Sequence, residues 1–279
     1  MTDPSRESKT SFLDPTWSVI RNFDRDQLHE HVRNAKPFPF FCIDGFLEPE
    51  VAERIAETLP SFEEASKAGK SYSTVNERSK IQVTDSAEFS EPVIRLYEAL
   101  ASPEWLNCLS YVMDIPNLIA DATLNGGGIH VTGPRGHLDV HVDFNYIKEM
   151  ELHRRINILV YFNKNWREEW GGNVELWDKD VKSCHHSLSP IFNRCVVFAT
   201  SNSSYHGVTA VTCPNGNARK SFAAYYYTKE PPSDWTGEYH STIFKARPDE
   251  RMKGILLMPA EKIKRALRSK MRKLRSRLK

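Results

Sequence analysis

Two histidines and one aspartate are the residues of this sequence best suited to hold a metal ion. One residue separates His141 from Asp143, and His206 follows 63 residues after Asp143. Residues i and i+2 of a strand point to the same side, so His141 and Asp143 can share one ion. Two imidazoles and a carboxylate cover one face of an octahedral ion, which suits non-haem Fe(II) with a bidentate co-substrate and O2. Taken alone, the His141–Asp143 pair also fits an ordinary ion pair at a strand end.

A basic residue and a hydroxyl follow the second histidine at a spacing that suits carboxylate recognition. Arg219 and Ser221 lie 13 and 15 residues after His206, again two positions apart. A guanidinium binds a carboxylate with two parallel hydrogen bonds, and a neighbouring hydroxyl can add a third. The alternative is that both residues are solvated after the turn at 214–217. With His141, Asp143 and His206 in order before them, we interpret them as the receptor for a co-substrate carboxylate.

The sequence around these residues resembles the Fe(II)/2-oxoglutarate-dependent oxygenases, in particular the branch that includes prolyl 4-hydroxylases and related bacterial enzymes. The resemblance runs from about Gly126 to Thr228, with a weaker match over 37–60. The segments that carry it are 133–144 (GPRGHLDVHVDF), 154–163 (RRINILVYFN) with Trp166, 170–176 (WGGNVEL), 206–208 (HGV) and 219–221 (RKS). No serine-hydrolase elbow, phosphate-binding loop or dinucleotide fingerprint competes with it.

The resemblance implies a catalytic centre and its cofactors. Iron(II) would be held by His141, Asp143 and His206, and 2-oxoglutarate by Arg219 with help from Ser221. Oxidative decarboxylation of 2-oxoglutarate by O2 would yield succinate and CO2 and drive hydroxylation of a substrate C–H bond. Ascorbate is a candidate stimulant. Because Asp143 is present, the halogenase variant of this chemistry, which needs a halide site in place of the carboxylate, is disfavoured.

Two further residues, Asn157 and His130, are expected near the co-substrate. Both expectations come from comparison with the family pattern. Asn157 falls where this branch often has a threonine close to 2-oxoglutarate. The branch frequently has a tyrosine three residues before the first iron ligand, and this sequence has Leu138 there. His130, on a candidate strand upstream, is a possible replacement for that tyrosine, although a core or loop histidine fits equally well.

Helices are predicted before residue 120 and short strands after it. Asp24 is expected to cap a helix that ends near Asn34, and Ser102 to cap another that begins at Pro103. Short β-rich runs separated by Gly, Pro and Asn clusters then predict a sandwich or barrel. These runs are 128–132, 138–144, 156–162, 173–177, 194–200, 207–211 and 221–228.

We expect an α+β fold with a double-stranded β-helix (jelly-roll) core, supporting N-terminal helices and a basic C-terminal helix. A jelly roll brings early and late strands side by side, which would let residues 141 and 143 share a metal with residue 206. The polar stretch 61–74 is expected to be a mobile loop. Loops at 61–76 and 178–190 are expected to contain the residues that select the substrate.

The predicted organisation has three parts. Residues 1–35 form a flexible and helical segment, 36–230 the oxygenase domain, and 231–279 a C-terminal extension. Residues 260–279 contain ten Lys or Arg and one acid, a net charge of +9, which leaves −7 for residues 1–259 out of a total of +2. Apolar residues spaced 4, 4, 3 and 4 apart form one stripe of a helix here. They are Ile263, Leu267, Met271, Leu274 and Leu278.

Such a basic amphipathic helix predicts contact with an anionic membrane surface. Docking on the acidic body is the main alternative. Nucleic acid is disfavoured because residues 260–279 have no aromatic side chains for base stacking. Five cysteines without CxxC spacing and a polar segment 1–10 indicate a cytoplasmic protein with reduced thiols, peripheral at the inner membrane surface if the helix binds there.

The pattern leaves the substrate open. A small molecule, a sugar or lipid precursor, or an amino acid requires a closed pocket, whereas a prolyl side chain in a protein requires an open groove. A non-catalytic jelly-roll binding protein that retained its metal site is the alternative of another class. The presence of both the three metal ligands and the Arg219–Ser221 receptor argues against it.

Overall fold

The computed structural model describes residues 19–233, 235–250, 252–261 and 263. The predicted basic helix over 260–279 lies almost entirely outside the described residues, and of its apolar stripe only Ile263 is described. Residues 1–18 of the predicted N-terminal segment are also outside the described residues. Within the described ranges, no helix is long and apolar enough to cross a lipid bilayer.

Five α-helices precede or interrupt the first strands. They are α1 (Arg25–Asn34), α2 (Pro49–Thr58), α3 (Phe62–Ala68), α4 (Glu91–Ala101) and α5 (Pro103–Met113). The strands are β1 (Phe40–Asp44), β2 (Lys70–Tyr72), β3 (Glu77–Val83), β4 (Ile119–Ala120), β5 (Gly128–Val142), β6 (Tyr146–Ile147), β7 (Leu152–Tyr161), β8 (Val174–Trp177), β9 (Cys184–Leu188), β10 (Arg194–Ala199), β11 (His206–Val208), β12 (Arg219–Thr228) and β13 (Ile243–Phe244). Two 3₁₀ turns (Ser86–Glu88 and Glu168–Trp170) and a π-helix (Lys253–Leu257) complete the described elements.

The strands form one curled antiparallel sheet with the order β1-β10-β7-β12-β5-β11-β8-β9. The hairpin of β2 and β3 adds to β5, as does β13, while β4 pairs with β12 and β6 with β7. Strands far apart in sequence are therefore neighbours, as the jelly-roll expectation requires. The α+β fold with a jelly-roll core is confirmed.

Strand β5 joins the two halves of this curled sheet. Its first part pairs with β12, with Thr132 opposite Arg219, and its last part pairs with β11, with His141 opposite His206. The sequence pattern predicted two separate strands here, and the structure has one strand of 15 residues. Arg135, with a φ of 64°, marks the bulged corner between the two parts.

Side chains along β7 and β12 point alternately to the two faces of the curled sheet. One face packs against the helices, and the other lines the inner side of the sheet. Ile156, Ile158 and Val160 of β7 pack with Phe222 of β12 in the core that the helices cover. Tyr226 belongs to that core, whereas Tyr225 lines the cavity inside the sheet. The three consecutive tyrosines 225–227 therefore alternate between the two faces of the sheet.

Two segments expected to be loops contain regular structure. The stretch 61–74 was expected to be mobile, but it forms α3 and then β2. Ser61 accepts from the Glu64 N–H while the Glu64 carboxylate accepts from the Ser61 N–H, which is a capping box. The loop prediction was wrong here because the polar residues that suggested it include this helix-start signal. The stretch 178–190 likewise contains β9.

Tyr226 joins α4, α5 and β12 through one hydroxyl. Its Oη accepts from the Trp105 indole N–H at 2.8 Å and donates to the Leu100 carbonyl at 2.9 Å, all in the buried core. We predict that Tyr226→Phe lowers the free energy of unfolding by about 1–3 kcal/mol, because it leaves a buried donor and acceptor without partners. Denaturant unfolding measures this change.

Tyr227→Phe is the matched control. Tyr227 is equally buried, but its hydroxyl makes a single long contact of 3.5 Å with Asp121. Its loss should cost clearly less than that of the Tyr226 hydroxyl. Equal losses in the two variants would show that the Trp105–Tyr226–Leu100 bonds add no specific stability.

Candidate metal and co-substrate site

The structure brings the three predicted metal ligands together inside the sheet. His141 is at the end of β5, Asp143 follows that strand, and His206 begins β11, directly opposite His141 in the pairing. The Asp143 carboxylate oxygens lie 3.5 Å from His141 Nε2 and 3.5 Å from His206 Nε2. One donor atom from each of the three residues falls within 4.8 Å of the others, so the group is able to hold one metal ion.

Both histidines are fixed in the same tautomer by backbone carbonyls. His141 Nδ1 lies 2.8 Å from the Asp139 carbonyl, and His206 Nδ1 lies 3.0 Å from the Ser204 carbonyl. Because a carbonyl only accepts, each Nδ1 must donate its proton, and each Nε2 keeps its lone pair for a metal. Burial, reinforced by His141, lowers the pKa of His206 to about 3, so this imidazole is neutral near pH 7.

Two neighbouring side chains, Asn157 and Arg154, keep the third ligand, Asp143, ionised. Of the two, only Asn157 was expected from the sequence to be a site residue. Asp143 Oδ2 accepts from Asn157 Nδ2 at 2.8 Å and lies 3.2 Å from the Arg154 guanidinium. Arg154 in turn donates to Asn157 Oδ1 at 2.7 and 3.0 Å. Burial opposes ionisation, but the Arg154 guanidinium holds the pKa of Asp143 well below its usual range. The carboxylate is therefore anionic, as a metal ligand must be.

A cavity of about 260 Å³ adjoins the three ligands. Its walls come from the β2–β3 hairpin, from β5, β7 and β12, and from the segment that contains β13. Its lining residues include Tyr72, Glu77, Lys80, Gln82, His130, His141, Asp143, Arg154, Asn157, His206, Arg219, Tyr225, Thr242 and Phe244. The metal group and Arg219 of the predicted co-substrate receptor therefore face the same cavity.

Arg219 is buried in this cavity wall without an acidic partner in the described parts of the chain. Its Nε donates to the Gly172 carbonyl at 2.7 Å and one Nη donates to the Tyr161 hydroxyl at 3.1 Å. Burial lowers the pKa of this guanidinium, and Tyr161 partly offsets the effect. A buried cation with neutral partners and a free N–H group is a receptor for an anion.

Glycine at position 172 is what allows the arginine to lie there. Gly172 has a φ of +71°, and a Cβ atom on it would lie 2.9 Å from Arg219 Cδ. Any other residue would be strained in this backbone conformation and would also displace the arginine side chain. Gly172 thus has a direct role in the site.

The remaining predicted residues lie around this receptor. Ser221 is fully buried, and its hydroxyl has no hydrogen-bond partner within the described residues, although it is not among the cavity-lining residues. His130, its cross-strand neighbour, lines the cavity and contacts the Gly126 carbonyl at 2.9 Å and Gln82 at 3.2 Å. Asn157 lies beside the carboxylate of Asp143, to which it donates a hydrogen bond.

Several cavity residues were not found from the sequence. Arg154 is the most consequential, since it contacts the Asp143 carboxylate and lies 3.6 Å over the Tyr225 ring. The sequence signal that could have identified Arg154 is its charge within a predominantly apolar strand. Lys80 and Glu77, paired at 2.8 Å, come from a strand whose pairing with β5 had no sequence signal. Phe244, whose ring centroid lies 5.3 Å from that of His141, belongs to a segment outside the recognised pattern.

Comparison with known proteins agrees with this geometry. Residues 127–227 match the family model of the 2OG-Fe(II) oxygenase superfamily. This stretch, about a third of the chain, is similar to the 2OG-Fe(II) oxygenase superfamily. A sequence comparison with curated proteins gives no match.

Solved structures of prolyl hydroxylases superimpose on this chain. A prolyl-4-hydroxylase from Pseudomonas putida superimposes with a TM-score of 0.51 at 14% identity, over 73% of this chain and 100% of that chain. A prolyl hydroxylase from Trichoplax adhaerens, in complex with a hypoxia-inducible-factor peptide fragment, gives 0.48 at 17% identity, over 74% of this chain and 91% of that chain.

The matched family implies iron(II), 2-oxoglutarate and O2, and the residues present fit the metal and the 2-oxo acid. Two unprotonated Nε2 atoms and an ionised carboxylate are a donor set for Fe(II). Arg219 provides a cation without an acidic partner, and the buried Ser221 hydroxyl lacks an acceptor or donor in the described structure. When bound, iron and 2-oxoglutarate supply the oxidising chemistry. The protein orients the ligands, keeps Asp143 ionised and encloses the reaction.

Asn157 is expected to support metal binding by orienting Asp143. We predict that Asn157→Leu, which keeps the branched shape of the side chain and removes its hydrogen bonds to Asp143 and Arg154, weakens metal affinity by about 10–100-fold. Titration with Co(II), followed by its absorption spectrum, measures the dissociation constant. Asn217→Leu, in an exposed turn, is the matched control. An unchanged dissociation constant in Asn157→Leu would remove Asn157 from the metal site.

Proposed function

We propose that the chain is an Fe(II)- and 2-oxoglutarate-dependent dioxygenase that hydroxylates a C–H bond of a small polar molecule. One observation carries the proposal: the group of His141, Asp143 and His206 faces the same cavity as Arg219, a buried arginine with no acidic partner among the described residues. The metal ligands alone would suit many enzymes. Arg219 adds the receptor that a dicarboxylic co-substrate requires.

The proposed roles follow from the contacts of each residue. His141, Asp143 and His206 hold iron, and Arg219 binds the distal carboxylate of 2-oxoglutarate. Ser221 lies two residues from Arg219 on β12, and its unpaired hydroxyl supports a second contact to that carboxylate. His130 lines the cavity opposite Ser221. Burial and Lys80 hold the pKa of His130 well below its usual value, so we assign it a neutral hydrogen-bonding role.

The size and walls of the cavity favour a small substrate. Its volume of about 260 Å³ is below the range of roughly 300–1,000 Å³ that is usual for drug-sized ligands. The β2–β3 hairpin closes one side and the β13 segment closes another, which favours a pocket over an open groove. The Lys80–Glu77 pair, with both side chains largely buried, provides charges of both signs at the cavity wall. An amino acid carries a complementary pair of charges.

A prolyl side chain of a protein is the second candidate substrate. The resemblance to prolyl hydroxylases supports it, and the fold of the P. putida enzyme is shared. A sugar or lipid precursor fits the closed pocket as well. We place the protein in a reducing compartment such as the cytoplasm, since all five cysteines are free thiols.

Turnover of 2-oxoglutarate tests the proposed activity. The purified protein with added Fe(II) should convert 2-oxoglutarate to succinate slowly even without substrate. His141→Ala and Asp143→Ala should abolish this conversion by removing a metal ligand, whereas His185→Ala, at an exposed histidine, should leave it unchanged. Absence of 2-oxoglutarate binding by the metal-loaded wild type would leave the non-catalytic metal-binding alternative.

The same succinate assay separates the substrate classes. Free amino acids, sugar and lipid precursors, and proline-containing peptides are added in parallel, and mass spectrometry detects a product heavier by one oxygen atom. Stimulation by a small molecule supports the closed-pocket proposal. Stimulation by peptides alone, with a hydroxylated prolyl residue, would assign the protein to the second candidate.

Arg219 should matter for the co-substrate and not for the metal. We predict that Arg219→Met raises the dissociation constant of 2-oxoglutarate by at least about thirtyfold, the equivalent of roughly 2 kcal/mol, because a buried charge pair is lost. Metal affinity should stay within a factor of about three. Isothermal titration of the metal-loaded protein measures both. Arg167→Met, whose side chain is 67% exposed, is the control, and equal effects in the two variants would exclude Arg219.

A further inference from the structure

The segment after the oxygenase domain folds back onto it and is held by ion pairs. We call residues 243–261 the C-terminal arm. Its strand β13 pairs with β5, so that Phe244 lies opposite His141. Arg247 contacts Glu175 at 2.7 Å, and Lys253 contacts Asp139 at 2.5 Å. The arm is therefore anchored to the body by buried charge, and the anchors fix which of its side chains face outward.

The helical end of the arm has its polarity inverted. Lys253 contacts Asp139 of the body and its side chain is only 17% exposed, and Glu261 is buried at 7% exposure. Its apolar residues are directed to the solvent. They are Met252 at 68%, Ile255 at 68%, Leu256 at 56% and Leu257 at 54% exposure, with Ile263 at 63% just beyond the arm. A helix that packs on a soluble body normally does the reverse.

This outward face is an uncovered apolar patch within the described structure, and we call it the arm patch (Met252, Ile255, Leu256, Leu257 and Ile263). Isolated exposed apolar residues need no explanation, but several adjacent ones mark a surface that something else covers. The ion pairs of Arg247 and Lys253 prevent the helix from simply turning over, because that would bury the patch by breaking buried charge pairs.

The charge of the chain indicates what covers the patch. No acidic residue follows Glu261, and residues 260–279 carry a net charge of +9, against −7 for residues 1–259. A second copy of the chain would bring two strongly basic segments together. A nucleic acid would match the charge but leave the arm patch in water. An anionic lipid surface matches both properties, since acyl chains cover the apolar residues and headgroups attract the cations.

We propose that the arm patch docks on an anionic lipid bilayer surface, with the basic sequence that follows it contributing electrostatic attraction. The apolar spacing of the patch continues in the sequence at Leu267, Met271, Leu274 and Leu278. The proposal concerns where the protein acts and is independent of which molecule it oxidises. Because attraction between charges is screened by salt, binding should weaken as ionic strength rises.

Vesicle co-sedimentation of the full chain tests the proposal. We expect the protein to sediment with vesicles of phosphatidylcholine mixed with phosphatidylglycerol and to remain in solution with phosphatidylcholine alone. The double variant Ile255→Ser/Leu256→Ser should bind the mixed vesicles at least about tenfold more weakly, because two apolar contacts are lost. Met150→Ser is the matched control, since Met150 is 41% exposed and lies on another part of the surface.

Two further measurements keep the result interpretable. The thermal midpoint and 2-oxoglutarate binding of the double variant should equal those of the wild type, which shows that weaker sedimentation is not a loss of fold. Equal sedimentation of the wild type and the double variant would overturn the proposal. So would a wild-type dimer that the double variant abolishes, seen by sedimentation velocity without lipid, because a second copy would then cover the patch.

Discussion

The antiparallel register between β5 and β11 is the constraint on which the site depends. It sets His206 directly opposite His141, and the two imidazole centroids lie 4.3 Å apart. Both rings are then locked in the same way, by the carbonyl of the residue two positions earlier. A shift of one residue would turn either side chain to the other face of the sheet and separate the nitrogen atoms. Metal binding therefore depends first on strand pairing.

Local rules led to several residues that meet at the cavity. The period of two along a strand paired Arg219 with Ser221, and Arg219 lies in the cavity wall. Short-range helix signals correctly identified Asp24 and Ser102 as caps. The mobile loop expected at 61–74 was wrong, because a capping box within a polar stretch was overlooked. These successes and this failure all rest on interactions between residues close in sequence.

Arg154 could not be placed by alternation. Its position would put it on the helix side with Ile156 and Ile158, yet it faces the cavity. The pairing of β7 with β12 explains this, since Ile156 lies opposite Tyr226 and Arg154 opposite Tyr227, which leaves Arg155 as an extra residue. A β-bulge turns the strand at that point and redirects the side chains before it. Such a bulge depends on the partner strand, so no local pattern reveals it.

Asp139 connects the metal site to the C-terminal arm. Its carbonyl fixes His141, while its fully buried carboxylate contacts Lys253 and lies 3.7 Å from Arg247. Burial raises the pKa of Asp139 even though Lys253 opposes the shift, so the ion pair is what makes this buried carboxylate tolerable. The orientation of a metal ligand and the anchoring of the arm therefore share one residue. A substitution at Asp139 removes the carboxylate that anchors the arm directly beside the carbonyl that orients His141, whereas Ile255, exposed on the outward face, concerns the arm alone.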